Sequence, residues 1–125
     1  MKDKCYFYKA QVLKVVDGDT IIADIDVGFG FKTSKTHIRL AGIDTGEIHS
    51  KDEAIKKKGE DAKSWLKALI DGKEIYIESL GLDKYGRALA KVYTIEGACC
   101  NEEMVKLGLA LRYDGGTKRQ ELLKG

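Results

Sequence analysis

The chain of 125 residues has no proline, one tryptophan, two histidines and three cysteines, and its charges nearly cancel. Without proline, low-complexity runs or internal repeats, nothing marks a linker, so one domain spanning residues 1–125 is expected. His37 and His49 are too few and too separated for a zinc centre, and no Cys-x-x-Cys spacing offers another. An odd number of cysteines, with Cys99 and Cys100 adjacent, suits reduced thiols better than a disulfide framework. A net charge of +2 is too small to steer a polyanion from a distance, so any anionic partner has to be held locally. No stretch approaches the roughly 20 apolar residues that span a bilayer, and the opening MKDKCYFYKA lacks a signal-peptide core. A cytoplasmic monomer without membrane association is expected, although a processed secreted domain reads the same way.

What the sequence does have is alternation. Cys5 to Val16 is rich in aromatic and β-branched residues, and Ile21, Ala23, Ile25 and Val27 alternate with Asp24 and Asp26 at the period of a half-buried strand. GFGF at Gly28–Phe31 reads as a turn, and Thr36 to Ile43 as a third strand with Ile38 and Leu40 on one face and His37, Arg39 and Ala41 on the other. Ser50 and Glu53 have capping-box spacing before a helix carrying Ala62, Trp65, Leu66, Leu69 and Ile70 and stopping at Gly72. Two more strands, Glu74–Ser79 and Arg87–Thr94, precede a short helix expected to be capped by Asn101 and to end near Gly108. Five strands, a helix after the third and another after the fifth predict a mainly β, α+β fold, a five-stranded barrel of the OB type with one or two C-terminal helices.

Three short segments carry chemistry. VVDGDT (Val15–Thr20) puts Asp19 after an Asp-Gly turn, which alone is a hairpin signal. RLAGIDTGE (Arg39–Glu47) sets Asp44 and Glu47 just past a strand whose Arg39 shares a face with Ala41 and Ile43; a partly enclosed arginine needs an anion. LDKYGRALA (Leu82–Ala90) is a turn around Gly86 with Arg87 emerging at the next strand, which alone is a hairpin with a surface arginine.

Together, and in this order, the segments resemble the staphylococcal nuclease (thermonuclease) family, whose members carry V-D-G-D-T, R-L-x-x-[IV]-D-T-P-E and D-K-Y-G-R motifs on an OB barrel. The likeness runs from about Val12 to Leu111 and includes Asn101–Ala110, matching N-E-x-[ML]-V-x-x-G-L-A. It implies a Ca2+-dependent nuclease that hydrolyses DNA and RNA at the 5′ oxygen and leaves 3′-phosphate ends, with single-stranded nucleic acid as the preferred partner. Asp19, Asp44 and the Thr45 carbonyl would ligate calcium, leaving coordination positions for water and a phosphate oxygen. Arg39 and Arg87 would stabilise the charge developing on the phosphorus oxygens, and Glu47 would orient or deprotonate the attacking water. Lys84, Tyr85 and Tyr113 would contact substrate.

The chain departs from the family where Gly46 replaces the proline of D-T-P-E. Losing that restraint costs about 0.4 to 1 kcal/mol through the unfolded state and is expected to loosen Glu47. The tail after Tyr113 allows about two helical turns, from Lys118 to Lys124, less than the family's last helix. Lys56, Lys57 and Lys58 read as a solvated helix face, Asp24 and Asp26 as water-facing, and Trp65 as core. The competing functions are a catalytically weak or inactive nucleic-acid-binding module, which has no need of Glu47, and a domain in which calcium serves structure alone.

Overall fold

The computed structural model describes residues 6–46 and 51–112. Eight strands and two helices follow in the order β1 (Phe7–Asp17), β2 (Thr20–Gly28), β3 (Phe31–Lys32), β4 (Thr36–Leu40), β5 (Ile43–Asp44), α1 (Glu53–Ile70), β6 (Glu74–Leu82), β7 (Ala88–Tyr93), α2 (Cys100–Lys106) and β8 (Leu111–Arg112). The main sheet runs β1-β6-β7-β4-β2-β3, and a further β1–β2 pairing closes five of its strands into a barrel. All pairings in it are antiparallel except β4 with β7, which run parallel with Ile38 beside Ala88, Arg39 beside Leu89 and Leu40 beside Ala90. The OB-type barrel and the α+β class are therefore as the alternation predicts.

Inward positions of each strand supply the core. Val12, Ile21, Ala23, Ile38, Leu40, Ile75, Ile77 and Val92 are all buried, and α1 adds Ala62, Leu66 and Ile70 from one stripe. That stripe, Ile55, Gly59, Ala62, Leu66 and Ile70, recurs every three or four residues, so one face of the helix is buried while Lys56, Lys57 and Lys58 stay outside it. Trp65 packs at the core margin, as expected.

Three local expectations are corrected and a fourth is extended. The N-cap of α1 is Asp52, whose carboxylate accepts from the amides of Ala54 and Ile55; Ser50 lies outside the described residues. Asn101 does not cap α2, which starts after Cys99; it is buried, accepts from the Val92 amide at 3.0 Å and donates to the carbonyls of Ala41 (2.8 Å) and Ala90 (3.3 Å). The strand read as Thr36 to Ile43 ends at Leu40, because Gly42 turns the chain at φ +75° and Ile43–Asp44 pairs instead with β8. Asp24 and Asp26 are more than water-facing: they accept from the amides of Lys35 and Gly28 and so fasten the β2–β3 hairpin. Cys5 and the expected turns of Lys118 to Lys124 lie outside the described residues.

Candidate active site

The two-residue connection between β1 and β2 delivers Asp19 to the rim of the barrel, where Thr20 pairs with Arg39 of β4. Beyond the Gly42 turn, β5 brings Asp44 back to the same place. Arg39 stands between the two acids: its Nη2 lies 3.5 Å from Asp19 Oδ2 and 3.6 Å from Asp44 Oδ1, while Nη1 donates to the Leu40 carbonyl at 2.7 Å. Those two legs meet at one nitrogen, so the carboxylate oxygens are at most about 7 Å apart. The enclosed arginine thus has its anions within the protein. Asp19 also accepts from the Thr45 amide at 3.3 Å and the Thr20 hydroxyl at 3.1 Å, which ties the hairpin to the loop after β5.

Burial makes this cluster electrostatically demanding. Asp19 is 6% and Asp44 2% exposed, and two carboxylates against one guanidinium carry a formal charge of −1 out of bulk water. Buried carboxylates are costly unless paired, and Asp19 and Asp44 share the Arg39 guanidinium. The donors are hard carboxylate and backbone oxygens, the chemistry that suits a calcium-like ion, whose ligands sit about 2.3 to 2.6 Å away. Asp19 and Asp44, with the Thr45 carbonyl next to Asp44 in sequence, therefore offer donors that fit such an ion. Among the described residues no group of three acidic, histidine or cysteine side chains gathers to hold a metal.

The second arginine stands just ahead of the neighbouring strand. Arg39 pairs in parallel with Leu89 of β7, and Arg87 is the residue immediately before that strand begins at Ala88. Arg87 is held by Asp83, whose Oδ2 accepts from Nε at 2.7 Å while Oδ1 accepts from the amides of Tyr85 and Arg87, each at 2.9 Å. Burial by itself raises the Asp83 carboxyl, but those amides and the guanidinium outweigh it and hold the group below its ordinary value. Tyr85, largely exposed, has two cations over its ring, with Lys84 Nζ and Arg87 Cζ each 5.4 Å from the centroid.

Asp19, Arg39, Asp44 and Thr45 are thus brought together, and Lys84, Tyr85 and Arg87 stand together on the turn between β6 and β7. Glu47 and Tyr113 lie outside the described residues. Asp83 was not among the expected site residues; its signal in the sequence is an aspartate three positions before a glycine at a turn, which reads as local turn chemistry. Gly46 has a use of its own: a Cβ there would collide with the Ile55 carbonyl and lie 3.0 Å from the Gly59 nitrogen, both backbone atoms of α1. The loop bearing Asp44 and Thr45 therefore backs directly onto the helix.

A family profile described as staphylococcal nuclease homologue matches residues 37–124. The chain is similar to an uncharacterized protein of Bacillus anthracis (39% identical over 106 residues, 82% of this chain and 46% of the relative). It is also similar to the thermonuclease of Staphylococcus hyicus (31% over 102 residues, 80% and 56%) and to an uncharacterized endonuclease of Escherichia coli O157:H7 (31% over 115 residues, 88% and 64%). The chain spans about half the length of the first two of these relatives. With the profile covering most of the chain, and an OB barrel beneath it whose rim gathers two acids around one arginine, this protein belongs to the staphylococcal nuclease homologue family.

Proposed function

We propose that the protein is a calcium-dependent phosphodiesterase that hydrolyses single-stranded DNA and RNA between phosphorus and the 5′ oxygen. The observation that carries this reading is the buried Asp19–Arg39–Asp44 cluster at the rim of the barrel, with Arg87 leading into the strand that pairs with Arg39's own. Calcium, held by Asp19, Asp44 and the Thr45 carbonyl, would supply a Lewis acid against a phosphate oxygen. Arg39 and Arg87 bind the non-bridging oxygens, and their planar donor forks strengthen as charge builds there in the transition state. Glu47 orients the attacking water or takes its proton. The water oxygen bonds to phosphorus, the 5′ oxygen departs and takes up a proton, and the phosphate stays on the 3′ side. Lys84 meets a neighbouring phosphate, and the exposed Tyr85 ring, with Tyr113, offers a sequence-tolerant surface to the strand. No helix among the described residues is long and apolar enough to cross a membrane, in keeping with a polyanionic substrate met in water.

The test is cleavage of a labelled single-stranded oligonucleotide in millimolar calcium, in magnesium and in chelator. Cleavage in calcium that disappears in Glu47→Gln, while strand binding persists, is the expected result. Binding without cleavage in every metal condition refutes the enzyme and favours a nucleic-acid-binding module.

A further inference from the structure

We propose that Asp83 is a positioning residue for Arg87: its carboxylate folds the turn and grips the guanidinium at Nε, so that both terminal nitrogens are presented to a phosphodiester before it binds. This rests on the phosphodiesterase reading above.

An exposed aspartate–arginine pair four residues apart is ordinarily worth little. This one differs in how many bonds fix it. Asp83 accepts three hydrogen bonds, from the Tyr85 and Arg87 amides and from Arg87 Nε, and its own amide donates to the Arg87 carbonyl at 2.8 Å. The Gly86 amide donates back to the Asp83 carbonyl at 3.0 Å, so turn and side chain are built around one residue. The Asp83 side chain is only 13% exposed, whereas that of Arg87 is 36% exposed and open to a ligand. Asp83 holds the edge of the guanidinium and Tyr85 lies near its centre, 5.4 Å from Cζ. Among the described residues, neither terminal nitrogen of Arg87 makes a hydrogen bond. Arg39 is the contrast, with Nη1 given to a carbonyl and Nη2 beside the two acids. The rotamer freedom of Arg87 is therefore surrendered on folding instead of on binding, which is how preorganisation lowers a barrier.

Asp83→Asn separates the two jobs. Its Oδ1 still accepts from both amides, but an NH2 group now faces the Nε–H donor and cannot accept from it. On single-stranded DNA in calcium, kcat/KM is expected to fall about 10- to 100-fold with little change in melting temperature. In an Arg87→Ala background the same change should have no further effect, because Asp83 acts only through Arg87. Equal losses in both backgrounds, or no loss in either, overturn the proposal. If Asp83→Asn melts below the assay temperature, Asp83→Ser, whose hydroxyl serves the turn but falls short of Nε, carries the same cycle. Independently of turnover, the Arg87 Nε–H proton should be protected from solvent exchange in the wild type and exposed in Asp83→Asn. A freely exchanging wild-type proton overturns the positioning role even where cleavage is seen, whereas a protected proton in a protein that cleaves nothing overturns the phosphodiesterase reading.

Discussion

A side chain at position 46 is expected to destabilise this protein, although the family's own residue there is proline. Replacing glycine by alanine or proline in a compatible conformation gains about 0.4 to 1 kcal/mol by restricting the unfolded chain. Here the new Cβ would run into the Ile55 carbonyl and approach the Gly59 nitrogen to 3.0 Å. Neither atom belongs to a side chain that can rotate away; relief requires α1 or the loop to move. Overpacking of that kind costs about 1 to 3 kcal/mol, so the net loss for Gly46→Ala is about 1 to 2 kcal/mol. For a domain of this size that is a fall of roughly 4 to 8 °C in melting temperature. Gly46→Pro carries the same Cβ into the same helix and is expected to fall at least as far. Thermal unfolding of the three proteins, followed by circular dichroism at one calcium concentration, decides the matter. A proline variant that melts above the wild type would mean that the helix does not press on this loop, and the packing argument would be wrong.

Removing the Asn101 amide in Asn101→Ala strips a buried acceptor from the Val92 amide and a donor from two carbonyls, with an expected loss of about 2 to 3 kcal/mol in denaturant titration. Arg39→Ala withdraws the guanidinium from two buried carboxylates and should cost about 3 kcal/mol in chelator, with added calcium raising the melting temperature more than it does in the wild type; equal calcium shifts would count against a shared cation site. Burial, with Cys99 close by, pushes the Cys100 thiol up to about 12, so mass-spectrometric mapping should find it unalkylated in the native protein at pH 8. Because the raised group favours its protonated form in the fold, its stabilising contribution is intact below the unfolded value near 9 and is lost as pH climbs towards 12. Cys100→Ala should flatten that alkaline decline.

The readable parts of the sequence were those set by short-range periodicity. Strands announced themselves by alternation at Ile21, Ala23 and Ile25, and α1 by the spacing of Ala62, Leu66 and Ile70, because burial on one face imposes those periods directly. Asp19, Arg39 and Asp44 stood out only through the likeness carried by three segments taken together, since the Asp19 turn alone reads as a hairpin; the structure brings these three side chains to one place. The misreadings share a cause. Asn101 sits two residues before a glutamate and resembles a cap, but its partners are Ala41, Ala90 and Val92, up to sixty positions away, and no local rule reaches them. Gly46 read as a missing proline because the helix backbone that forbids a side chain lies beyond the loop, at Ile55 and Gly59. Asp83 was hidden differently: its turn chemistry was plain, and only the distance to Arg87 Nε gives it a second task.

The parallel seam between β4 and β7 joins residues fifty positions apart, Ile38–Leu40 with Ala88–Ala90, and sets the strand of Arg39 beside the one that Arg87 leads into. An incompletely closed chain therefore lacks that juxtaposition however well its individual hairpins are made. For the proposed phosphodiesterase, activity would arrive only with closure, and turnover would serve as a gauge of whether the barrel has shut.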